Sequence, residues 1–142
     1  MKPITTWILF ADQGSSKVME SSSKDSRLRK VPGMEMKGPE KRKFNKDKGR
    51  SFNSVGAGRH THEAHHHEET AFAESISSML EDAKSGQRFD RLILCASPEM
   101  LGNLRKSLSP MVEKAVYGEL AKDLVNIPDA ELERHFDSML LN

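Results

Sequence analysis

The sequence predicts an α/β domain, a single layered unit with a mixed β-sheet flanked by helices, and three observations predict it. Two apolar runs, "TTWILFADQ" at residues 5–13 and "RLILCAS" at 91–97, have no helical period and suit strands buried on both faces. Between them Phe72, Ala73, Ile76, Met79, Leu80 and Ala83 recur at the i, i+3, i+4, i+7 spacing of an amphipathic helix. After the second run, prolines at 98, 110 and 128 open further helical patterns. With 142 residues the chain fits one domain with a moderate core.

Each element follows from local chemistry. The first strand ends at a turn supplied by Gly14 and its serines, and "KVMES" at residues 17–21 reads as the returning strand of a hairpin. "LRKVPGMEMK" at 28–37 carries Pro32, which has no backbone donor, so it reads as one edge or bulged strand. From Lys37 to His60 apolar residues thin out to Phe44, Phe52 and Val55 among repeated glycines, so a long loop of about residues 37–62 is expected. The helix after it has Glu63, Glu68 and Glu69 near its start, where carboxylates favour the positive end of the dipole, and Gly86 as a C-cap candidate. Met100, Leu101, Leu104 and Leu108 form the stripe of the next helix. "MVEKAVYGELAKDLV" then supplies a helical turn and a last strand near Val116–Leu120. Leu132, Phe136, Met139 and Leu140 give the closing helix its apolar face.

Composition narrows the classes of function. Aromatic residues make up 6% and charged ones 30%, so solvated segments stand beside the core. The net charge is +1, yet Lys24 to Arg50 hold eleven basic and four acidic residues, while the tail from Glu119 leans acidic. Such asymmetry points to a polyanion contact on one side of the molecule. The single cysteine, Cys95, excludes a disulfide framework and a cysteine-based zinc site, and reads as a buried thiol. No run approaches the roughly 18–20 apolar residues of a membrane span. The apolar stretch near the N-terminus is too short for a signal sequence, so a cytoplasmic location is expected.

Two stretches carry candidate chemistry. Lys41, Arg42, Lys43, Lys46, Lys48 and Arg50, interleaved with Phe44 and Phe52, combine cations with rings as single-stranded RNA contacts do; a solvated charged loop is the plainer alternative. "GAGRHTHEAHHHEE" at 56–69 begins with Gly56, Gly58, Arg59 and His60, a backbone-amide pocket for phosphate or simply loop flexibility. It continues into His62-Glu63-Ala64-His65-His66, which has the spacing of a zinc peptidase motif: imidazoles four residues apart share a helix face, and the glutamate can act as base. Polar neighbours throughout, apart from Ala64, depart from the core helix such a peptidase uses. His62, His65, His66 and His67 can also offer imidazoles to zinc or nickel without catalysis, or occupy a solvated helix start. Trp7 and Tyr117 read as core residues.

The segments "TTWILFADQGSSKVMES", "GRSFNSVGAGRH", "GQRFDRLILCASPEMLGNLRKSLSP" and "ELAKDL" with "IPDAEL" resemble, in order, the bacterial host attachment proteins, named for their requirement in attachment to host cells. That family is similar to the central domain of archaeo-eukaryotic peptide-chain release factors, an α/β domain with this element order. In those factors a Gly-Gly-Gln loop precedes a helix. Here the equivalent place reads Gly56-Ala57-Gly58-Arg59-His60, so the resemblance implies a ribosome- or RNA-associated domain without the release motif. The partners implied are the ribosome, rRNA or tRNA; a protein partner on the basic loop is the other expectation, DNA is not expected, and no cofactor is expected, with zinc or nickel at the histidines as the alternative.

Overall fold

The computed structural model describes residues 3–23, 27–38 and 55–134, with the helix backbone alone over 55–69. Strands β1 (Thr5–Ala11) and β2 (Ser15–Ser22) form an antiparallel hairpin, with Thr5 opposite Ser22 and Ala11 opposite Ser16. The turn is closed by one side chain. Asp12 Oδ1 accepts from the amides of Gly14 and Ser15, both at 2.8 Å, satisfying donors that the reversal leaves free.

The expected single edge strand is divided in two. β3 (Arg29–Lys30) and β4 (Met36–Lys37) each pair antiparallel with β2. Between them Pro32 and Gly33 make a turn, with Gly33 at φ 81°, which an L side chain rarely adopts. The Pro-Gly pair therefore ends one strand and starts another instead of bulging a continuous one.

The long helix α1 (Val55–Ser85) begins earlier than the sequence pattern predicts, so residues 55–62, expected in the loop, are helix backbone, while residues 39–54 of that expected loop lie outside the described residues. Ala57, Arg59, Glu63 and Ala64 are good helix formers. Once nucleated, a helix propagates through Gly56 and Gly58 for a cost of only about 1 kcal/mol each. Phe72, Ala73, Ile76, Leu80 and Ala83 are buried, in agreement with the predicted stripe.

α1 ends at Ser85, with Gly86 at the cap position as expected. Arg88 N donates to Ala83 O at 3.0 Å and Gln87 N to Lys84 O at 2.9 Å, the paired bonds of a Schellman cap. The left-handed position is Gln87, at φ 59°, rather than Gly86.

β5 (Arg91–Ala96) lies parallel to β1, with Leu9 opposite Leu94. Helices α2 (Pro98–Ser107) and α3 (Pro110–Ala115) both carry proline in the first turn and a capping serine before it: Ser97 Oγ accepts from Met100 N, and Ser109 Oγ from Val112 N. β6 (Val116–Leu120) runs parallel to β5, with an irregularity between Leu92 and Ile93. The sheet order is β3-β2-β1-β5-β6, with β4 also on β2, an open mixed sheet as predicted.

Both faces of the sheet are covered. Trp7, Leu9, Ala11, Val18, Leu92, Leu94 and Ala96 belong to a core shared with α1, α2 and α3. On the other face Ile8, Phe10, Met19, Ile93 and Cys95 pack with Leu28, Val125 and Leu132. Burial on two sides explains why β1 and β5 read as unbroken apolar runs. The segment carrying Val125 and Leu132 turns helical at 129–134, where Leu132 N donates to Pro128 O at 3.1 Å; Phe136, Met139 and Leu140 lie outside the described residues. Among the described residues no helix is long and apolar enough to cross a membrane.

Candidate functional site

The cationic stretch is rooted at a defined place. Gly38 N donates to Gly14 O at 2.9 Å, which holds the last described residue before position 39 against the β1–β2 turn. A β-carbon at Gly38 would run into the carbonyl oxygen of Gln13 and lie 2.9 Å from Phe72 Cδ2 of α1. Glycine is required by that approach. Lys41, Arg42, Lys43, Lys46, Lys48, Arg50 and Phe52 themselves fall outside the described residues. Gly56, Gly58, Arg59 and His60 lie in the first two turns of α1 rather than before it, and His62, His65, His66 and His67 follow on the same helix backbone.

The root of that stretch adjoins a crevice at the carboxyl ends of the parallel strands. A cavity of about 310 Å³ is lined by Asp12, Gln13, Gly14, Ser97, Glu99 and Asp123. In open α/β sheets this is where ligands are usually bound. Desolvation first, and the charge of Asp12 second, push the Asp123 carboxyl above the ordinary carboxylate range, against the opposing hydrogen bond from Val125. Sequence reading did not single out these acids. Their only signal was that Asp12 and Ser97 each directly follow a strand.

A second cavity, of about 470 Å³, opens where β2 and β4 meet the 125–129 segment, and its lining includes Ser15, Lys17, Glu35, Lys37 and Asp129. Lys17 Nζ donates to Asp129 Oδ1 at 2.7 Å and to Ile127 O at 2.9 Å. Lys30 pairs with Glu35 and lies 3.8 Å from Asp129; its ammonium is held above the usual lysine range, mainly by the hydrogen bond to Glu35. Arg27, Arg29, Lys30 and Lys37 are exposed, so the β3–β4 edge continues the basic character of the stretch it leads into.

The aromatic assignments divide. Trp7 is fully buried, stacked on Phe89 at 4.9 Å, with its indole Nε1 donating to Glu20 Oε2 at 3.0 Å. Tyr117 is not a core residue: it is 64% exposed, with the Arg91 guanidinium 4.3 Å from its ring centroid. It lies on the edge strand β6, whose residues alternate half-buried and exposed, at the position skipped between the pairs Leu92–Val116 and Ile93–Gly118. Cys95 is buried as predicted, and burial pushes its thiol up to about 12, far from a reactive thiolate. Among the residues whose side chains are described, which do not include those at 55–69, no group of three or more His, Cys, Asp or Glu is placed to hold a metal ion.

No curated protein matches the chain. The model of one family, described as "Protein required for attachment to host cells", matches residues 7–136, from the first strand to the closing helical segment. The chain belongs to that host attachment family.

Proposed function

We propose that this host attachment protein is a non-catalytic, cytoplasmic α/β domain that associates with ribosomes or structured RNA through its basic stretch, Lys41 to His60. The observation that carries the reading is the charge distribution: eleven basic against four acidic residues between Lys24 and Arg50. The stretch is tethered at Gly38 beside the carboxyl ends of β1 and β5, and exposed Arg27, Arg29 and Lys37 extend its positive field onto the sheet edge. The resemblance to release-factor central domains supports an RNA partner, and the absence of Gly-Gly-Gln argues against peptide release. Sedimentation of tagged protein through a sucrose gradient at low salt tests it. Co-migration with ribosomal particles and RNA recovered after crosslinking are expected; protein confined to the top fractions with no crosslinked RNA contradicts it.

A second reading has its own observation. α1 runs without a break from Val55, so His62 and His66 stand one helical turn apart, the spacing at which two imidazoles hold zinc or nickel. If this pair serves a hydrolase, zinc copurifies stoichiometrically and Glu63→Gln abolishes turnover; metal-free protein from a zinc-replete preparation rejects it.

A further inference from the structure

Tyr117 and Arg91 are paired in a way the fold does not need. Tyr117 is the most exposed large hydrophobic side chain among the described residues, at 64%, ahead of Ile4 at 41% and Met111 at 38%. One side of its ring rests on the Arg91 guanidinium, whose carbon lies 4.3 Å from the ring centroid. A ring that is two-thirds exposed with one side occupied has its other side open to solvent. Arg91 Nε is buried with no hydrogen-bond partner among the described residues, so contact with the ring is what the structure shows holding this guanidinium in place. The nearest acid on β6, Glu119, is engaged elsewhere, by Arg105 Nη2 at 2.6 Å and Nε at 3.0 Å. Lys114, at the end of α3 just before this strand, is exposed and adds a further cation.

We infer that Tyr117, backed by Arg91, is a stacking platform for an unpaired RNA base; the inference rests on the RNA-binding reading and extends it to a second contact outside the basic stretch. A guanidinium beneath a ring pre-orders the aromatic plane and adds positive charge near the path of the phosphates. RNA-binding surfaces use such groups to hold splayed bases without reading their sequence. A protein-docking surface is less well matched, because such surfaces present contiguous apolar area, whereas the group set against this ring is the Arg91 guanidinium and the next exposed residue of β6 is Glu119.

Fluorescence anisotropy with labelled oligouridylate, using the full chain, tests the assignment. Tyr117→Ala should weaken binding roughly tenfold, Tyr117→Phe should retain it, and neither should change the slope of affinity against salt, since stacking releases no counterions. Because the side chain is exposed, the melting temperature of both variants should match that of the parent. If the parent binds RNA and Tyr117→Ala binds equally well, the platform is wrong and RNA association survives. If the parent binds no RNA, both fall. Unchanged RNA binding with loss of a dimer in analytical ultercentrifugation would show the ring contacts a second protein copy and would overturn the assignment.

Discussion

The Lys17 ammonium and the Asp129 carboxylate meet at 2.7 Å across 112 residues of sequence, and the same ammonium holds the carbonyl of Ile127 at 2.9 Å. The lysine side chain is only 12% exposed, so this contact is better shielded than a surface ion pair. It fastens the 125–134 segment, with Val125 and Leu132, over the second face of the sheet. Lys17→Met should cost about 1.5–3 kcal/mol, the range for hydrogen bonds to charged groups. A double-mutant cycle with Asp129→Asn, read by urea denaturation, should give a favourable coupling; purely additive effects would mean that the pair does not hold the segment.

Gln87 sits where glycine is preferred. At φ 59° a side chain with a β-carbon is strained by roughly 1–2 kcal/mol, although the Schellman bonds to Ala83 and Lys84 are intact. Gln87→Gly should therefore stabilise the domain by about 1 kcal/mol in thermal unfolding, and a loss of stability would count against this cap geometry.

Gly38 makes the opposite prediction. Its missing β-carbon leaves room for the Gln13 carbonyl and the Phe72 ring, neither of which can retreat without moving backbone or core. Gly38→Ala should destabilise by about 1–3 kcal/mol, the usual range for overpacking. Hydrogen exchange should locate the change at β4 and the β1–β2 turn, and an unaltered exchange pattern would contradict it.

Asp123 supplies a pH-dependent test. Its folded pKa is raised, by desolvation and then by Asp12, so the folded state binds this proton more readily than the unfolded chain. Stability attached to this group is therefore greatest with the proton bound and falls as pH rises from the unfolded value, about 3.9, through the raised folded one. Asp123→Asn should be more stable than the parent at neutral pH, by no more than about 0.5 kcal/mol for so exposed a site, and the difference should vanish near pH 3 or below. A gain confined to low pH would reverse the sign and reject the cause.

Much of the architecture was legible because burial on two faces writes itself as unbroken apolar runs, as in β1 and β5, and because Pro98 and Pro110 sit where helices start. Local competition hid other features. Pro32-Gly33 could be a bulge or a turn, and only the pairing of both flanks with β2 decides for the turn. Tyr117 reads as core from its apolar neighbours, whereas β6 is the edge strand of the sheet and its alternate residues Tyr117 and Glu119 are exposed. The Asp12, Ser97 and Asp123 crevice is assembled by parallel pairing of strands distant in sequence, so spacing carries no trace of it. The basic stretch was legible as charge alone.

The central claim is that the basic stretch contacts RNA electrostatically, and the salt dependence of binding measures it most directly. Neutralising Lys41, Arg42 and Lys43 together should weaken oligonucleotide binding at low salt and reduce the slope of log affinity against log salt by about two units, as the loss of three phosphate contacts on a single strand requires. An unchanged slope with unchanged affinity would contradict it.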